Sequence, residues 1–203
     1  MDEKMVLVTD SPQMHLVRWA AEVREKAVGL PWETGAATEG FGAFSVGLNE
    51  AETGWLLEQQ AAEEVLLTAF CTVLSDWTGR SAQWVKVGTL PLLIELSAEE
   101  NPVAVLNHVR KQVQRVREHD ELRELAGMEA VLAKYAVPRP EAKLHVGDGA
   151  LTAPHRYPLE LRAEWIGEQL FVRLHFAKRS LCESTASWLT DRFTAELQRM
   201  IQG

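Results

Sequence analysis

Val65-Leu-Leu-Thr-Ala-Phe-Cys-Thr-Val-Leu-Ser-Asp-Trp-Thr-Gly79 is the stretch on which the fold turns. Leu66, Ala69, Phe70, Val73, Leu74 and Trp77 recur at the i, i+3, i+4, i+7, i+8, i+11 spacing of one helix face, while Leu67 and Cys71 add apolar surface on another. A helix apolar on more than one side is expected at the centre of a domain. Gly79 supplies its C-terminal stop.

Working outward, Trp84 to Leu96 reads as a buried strand interrupted by Gly88 and Pro91, and the proline implies an edge position or an irregular start. Val105, Leu106, Val109, Val113 and Val116 then form the stripe of an amphipathic helix from Asn101, and a further helix is expected from Asp120 to Tyr135. Tyr157, Leu159, Leu161, Ala163 and Trp165 alternate with polar residues, and Leu170, Val172, Leu174 and Phe176 resume the alternation after Gly167, which predicts a hairpin. Leu189, Phe193, Leu197 and Met200 mark the inward face of a last helix from Glu183 to Ile201. Upstream, residues 13 to 28 read as a helix and Gly29 to Gly42 as a turn-rich tract. Phe41 to Leu48 follows as a strand, and Asn49 with Glu52 makes a capping-box start for a helix through Gln60.

With 203 residues, 46% of them hydrophobic and 25% charged, the chain is long enough for a substantial core and falls in the ordinary globular range. No apolar run approaches the ~20 residues of a membrane helix, and the acidic start Met1-Asp2-Glu3-Lys4 lacks the basic region of a secretory signal, so a cytoplasmic protein is expected. A net charge of -8 argues against a dedicated nucleic-acid binder, whose phosphate contacts need a concentrated basic surface. Cys71 and Cys182 have no CxxC spacing and read as reduced structural thiols.

The Leu66 to Gly79 helix with its Asp76-Trp77-Thr78-Gly79 end, the Val87-Gly88-Thr89-Leu90-Pro91-Leu92 segment, the helix after Asn101 and the terminal hairpin plus helix together resemble, in order and spacing, the C-terminal lobe of nonribosomal peptide synthetase condensation and epimerization domains. The resemblance runs from about Phe41 to Ile201. It implies an α/β, chloramphenicol acetyltransferase-like two-layer sandwich: a single lobe with a mixed sheet and helices mainly on one face, those beginning near Val65, Asn101 and Glu183. Residues 41–203 are read as this lobe and residues 1–40 as a lead-in helix and linker.

The family's reactive motifs have no counterpart. Its first lobe carries a His-His-x-x-x-Asp-Gly loop; the nearest approach here, His145-Val-Gly-Asp148-Gly149, has one His and an Asp one residue too close. The Glu-bearing segment of epimerization domains is also missing, because only Arg80 to Lys86 fills its interval, with no room for the long crossover to the other lobe. No zinc-type histidine spacing, G-x-S-x-G elbow, P-loop or dinucleotide-binding glycine pattern occurs. No catalytic, metal or cofactor residue is therefore assigned, and His175 reads as a solvated or packed strand residue.

The expectation is a non-catalytic half-domain that works by protein contact. Its partner would be a synthetase module, a carrier protein, or a second copy replacing the missing lobe; nucleic acid and membrane are not expected. The candidate interface is Trp84, Val85, Val87 and Leu90 at the shortened crossover, and the candidate carrier contact is the basic face Arg110, Lys111, Arg115 and Arg117. The alternative is one lobe of a split carrier-dependent acyl-transfer or epimerization enzyme whose histidine lobe lies on another chain. A weaker one is a ligand-binding protein with a concave apolar site.

Overall fold

A computed structural model describes residues 12–33, 39–59, 62–97, 101–118, 130 and 132–202. Its elements in chain order are α1 (Pro12–Lys26), β1 (Phe41–Val46), α2 (Glu50–Glu58), α3 (Ala62–Thr78), β2 (Ala82–Val87), β3 (Leu90–Glu95), α4 (Pro102–Glu118), β4 (Ala142–Val146), β5 (Leu159–Ile166), β6 (Gln169–Ala177) and α5 (Glu183–Gln202). The six strands form one mixed sheet in the order β1-β6-β5-β4-β2-β3. The β2–β4 and β4–β5 pairs are parallel and the other three antiparallel.

Helix α3 is as central as its pattern requires: Val65 to Cys71, Val73 and Leu74 are all buried. It packs with α4 and α5 on one face of the sheet, over Leu144 of β4, Leu159 and Leu161 of β5, and Leu174 and Phe176 of β6. Gly79 takes the left-handed conformation (φ 68°) that ends the helix. The Asn49–Glu52 capping box forms, with both reciprocal bonds at 2.9 Å. The expected helix from Asp120 to Tyr135 lies largely outside the described residues.

Trp84 to Leu96 is not one interrupted strand. Gly88, with φ 57°, and Thr89 turn the chain so that Val87 opposes Leu90, and β2 and β3 form a hairpin. Periodicity could not show this, because an apolar run on either side of a two-residue turn reads as continuous.

The two sheet edges differ. In the β2–β3 register, Leu96 N–H bonds Ser81 O at 2.9 Å, so Pro91, Leu93 and Glu95 direct their backbone groups outward. Pro91 has no N–H, and Gln112 of α4 engages both groups of Glu95, accepting its N–H at 2.9 Å and donating to its carbonyl at 2.7 Å. Among the described residues the Leu93 N–H and carbonyl and the Pro91 carbonyl stay open. At β1, the 3.0 Å bond from Lys178 N–H to Gly40 O sets the opposite phase, and Phe41, Ala43 and Ser45 present backbone groups with no partner among the described residues. This edge has no proline and no charge.

Gly42 lies on the helix side of β1, where a Cβ would meet ring carbons of the buried Phe176 at 2.3 and 2.6 Å. Phe176 also stacks on Phe44, with ring centroids 5.8 Å apart, so it has little room to yield. Gly42→Ala is expected to lower stability by about 1–3 kcal/mol, the range for overpacking, in urea denaturation; an unchanged midpoint would show that the ring moves freely.

Candidate functional site

The sheet face opposite α3, α4 and α5 holds the chemistry. Alternation along β5 sends Leu159, Leu161 and Ala163 into the core and Glu160, Arg162 and Glu164 to the other side. Such residues are ordinarily solvated, yet Glu160 and Arg162 are only 2% and 1% exposed. The crossover from β4 to β5, residues 147–158, covers them.

The carboxylates of β5 pin that crossover. Glu160 Oε1 accepts the backbone N–H groups of Arg156 and Tyr157, both at 2.9 Å. Its Oε2 accepts Arg162 Nε at 2.6 Å and a second guanidinium N–H, and Arg162 also donates to the carbonyl of Ala153. Glu164 accepts the N–H groups of Gly149 at 2.9 Å and Leu151 at 3.1 Å. Burial pushes the Glu160 carboxyl up, but the N–H of Arg156, the Arg162 guanidinium and the N–H of Tyr157 outweigh it and hold the group below the usual carboxylate range.

Two histidines complete the cluster. His155 stacks on Phe41, centroids 4.5 Å apart, and lies 4.7 Å from the ring of His175. Its Nδ1 is 3.7 Å from Glu160 Oε2, too long for a hydrogen bond. Desolvation, and then the Arg162 charge, lower the pKa of both rings, His175 to about 4. Both are neutral at pH 7. Neither donates to nor accepts from a nucleophile, so this is a packed electrostatic cluster rather than a proton-transfer relay.

Tyr157 stands between two cavities on this face. One, of about 400 Å³, is lined by Phe41, His155, Arg156 and Arg179; the other, of about 360 Å³, by Lys86, Thr89, Pro91, Val137 and Arg139. Among the described residues no group of three or more His, Cys, Asp or Glu could hold a metal ion.

The candidate interface residues separate. Trp84 is 8% exposed, packed with Ala20 and Val23 of α1, with Ala27 just after it and with Val137; its ring centroid lies 6.1 Å from that of Trp19, and its indole N–H donates to Pro138 O at 2.8 Å. Val85 and Val87 are buried in the main core, while Leu90 is partly exposed at the start of the edge strand. On α4, Lys111 and Arg115 face solvent and Arg110 is half-buried. Arg117 bridges to Glu63 and Glu64 of α3. The His145-to-Gly149 segment is a strand end and turn, with positive φ at Gly147 and Gly149 and an exposed Asp148.

No family model and no curated protein matches the chain. Solved structures do. The X-domain from teicoplanin biosynthesis aligns with a TM-score of 0.70 at 14% identity, over 97% of this chain and 56% of that one. The fold is that of one condensation-domain lobe. The epimerization domain from the third module of tyrocidine synthetase B gives a TM-score of 0.65 at 14% identity, over 95% of this lobe and 56% of that chain. The complex of the X-domain and OxyB from teicoplanin biosynthesis gives 0.66 at 15% identity, over 92% and 53%. The lobe thus spans about half of each of these chains. Its helices cover the sheet mainly on one face, as the resemblance implied, and no helix among the described residues is long and apolar enough to cross a membrane.

The buried Glu160–Arg162 cluster was not read from the sequence. Its only signal is a Glu-Leu-Arg-Ala-Glu alternation, and such charges stay solvated unless another segment crosses them.

Proposed function

We propose that this lobe acts by protein contact in nonribosomal peptide biosynthesis and carries no condensation or epimerization chemistry of its own. The observation supporting this is the closed β2–β3 hairpin. The resemblance implies a long crossover toward a second lobe in the interval Arg80 to Lys86; here that interval is β2 itself, which Gly88 and Thr89 turn straight back into β3 of the same sheet. The similar X-domain forms a complex with OxyB, a precedent for this fold serving as a docking platform.

The partner is a carrier protein or neighbouring synthetase module, met by the basic flank of α4. Lys111 and Arg115 are exposed and have no ion pair among the described residues, so they are free to steer an acidic surface, whereas Arg117 is held by α3. Trp84, enclosed by α1, contributes by holding the edge in place, with Leu90 nearer the surface. Reversing Lys111 and Arg115 to glutamate is expected to slow association with an acidic carrier several-fold at low salt, with a smaller effect at high salt. An unchanged rate would remove α4 as the contact.

The half-length coverage of two-lobed domains favours one second reading, a split enzyme completed by another chain. Incubating the pure lobe with an aminoacyl- or peptidyl-carrier substrate separates the two. No turnover is expected, and turnover abolished by His145→Ala would overturn the proposal. Turnover appearing only when a histidine-bearing first lobe is added would establish the split enzyme.

A further inference from the structure

We propose that the cavity between the sheet's outer face and the segment around Val137 to Pro140 binds a phosphate group carried on a small organic molecule. The argument begins with register. Lys86 of β2 is paired with Lys143 of the parallel strand β4, which places two like charges side by side on the same face. Their ammonium nitrogens lie 6.0 and 5.8 Å from the centroid of one ring, Tyr157. That ring attracts both cations but supplies no net negative charge.

The surroundings do not supply it either. Next along the ladder from Lys143 is Glu160, whose two oxygens already accept the N–H groups of residues 156 and 157 and the Arg162 guanidinium. Neither lysine has an ion pair among the described residues, and the 360 Å³ cavity lined by Lys86, Arg139 and Tyr157 has no carboxylate among its lining residues. Arg156 and Arg162 add further positive potential at Lys143. Burial first, and then Lys86, Arg162 and Arg156, lower the Lys143 pKa, with Glu160 opposing them. Half-buried Lys143 thus stands among three cations and one carboxylate, Glu160, that is already engaged by Arg162.

The cavity walls define the rest of the ligand. Pro91, Val137, Pro138 and Pro140 are apolar, and the volume lies in the range of small-molecule pockets, so an organic body fits beside the anionic head. A dianion matches the two cationic side chains of the lining, Lys86 and Arg139, with Lys143 beside Lys86 in the register, better than a single carboxylate, which would leave one of them uncompensated. The inference does not depend on the protein-contact reading.

The test is calorimetric titration of the whole chain with inorganic phosphate and with phenyl phosphate, against sodium chloride at matched ionic strength. Phosphate is expected to bind and to raise the thermal midpoint beyond the chloride control. Phenyl phosphate should bind more tightly, because its ring uses the apolar wall. Lys86→Met should weaken binding at least about tenfold, the scale of one lost charge-assisted contact, and Lys143→Met, outside the lining, by a smaller factor. Arg192→Met, exposed on α5 on the other face of the sheet, should leave binding unchanged. Since both internal substitutions relieve like-charge repulsion, the variants should fold; if either does not, Arg139→Gln at the exposed rim takes its place. No binding beyond the chloride control, or undiminished binding in the lysine variants, would overturn the site. Equal affinity for the two probes would overturn the organic body.

Discussion

Replacing Arg162 with leucine is expected to destabilise the protein by about 3–5 kcal/mol, the usual consequence of removing one partner from a buried ion pair. The guanidinium is 1% exposed and holds both Glu160 Oε2 and the carbonyl of Ala153. Without it, Glu160 keeps its two backbone N–H donors but loses its counter-ion, and the crossover at 147–158 loses a tether. The double substitution Glu160→Leu/Arg162→Leu should recover part of the loss, because it removes the uncompensated charge along with the pair. Urea denaturation of the parent, both single variants and the double variant measures the coupling. A loss under about 1 kcal/mol for Arg162→Leu would mean that water reaches Glu160 readily.

The second large effect is acid sensitivity centred on His175. Its ring is 7% exposed, and burial, the Arg162 charge and neighbouring His155 lower its pKa from 6.5 to about 4. Above pH 6.5 the ring is neutral in both folded and unfolded chains and has no effect on pH dependence. Between 6.5 and 4 the unfolded chain takes up the proton while the folded one resists it, so stability falls as pH falls, by about 2 kcal/mol at pH 5 and roughly 3 kcal/mol at pH 4. Glu160, held below the usual carboxylate range, adds a further loss only at lower pH, as the folded protein is forced to protonate it. Denaturation midpoints measured from pH 7.5 to 4.5 should show this slope, and His175→Gln should flatten it. A slope unchanged by the substitution would assign the sensitivity to other groups.

The elements recoverable from sequence are those whose burial follows from their own period. The α3 stripe, the β5–β6 alternation and the Asn49–Glu52 cap each state their environment locally, and each stands where its pattern places it. What failed to show locally depends on a second segment. Trp84, a candidate interface residue, is enclosed by α1, and nothing in its own strand reveals that cover. The burial of Glu160 and Arg162 does not show in their own strand, because it is made by a crossover containing Pro154, His155 and Pro158, with no periodicity to declare its path. The β2–β3 turn was obscured for a related reason, since Gly88 inside an apolar run signals irregularity without revealing that the chain reverses.

The unequal sheet edges set a limit on assembly. A two-fold joint through β1, centred on Ala43, would place Ala43 opposite its symmetry mate and Phe41 opposite Ser45, with no charge brought together, merging two sheets into one. The outer margins of that merged sheet would both be β3, where Pro91 offers no donor and Gln112 already occupies Glu95. Association by that route ends at a closed pair, whereas a sheet open on both sides would add copies without limit and grow toward a fibre.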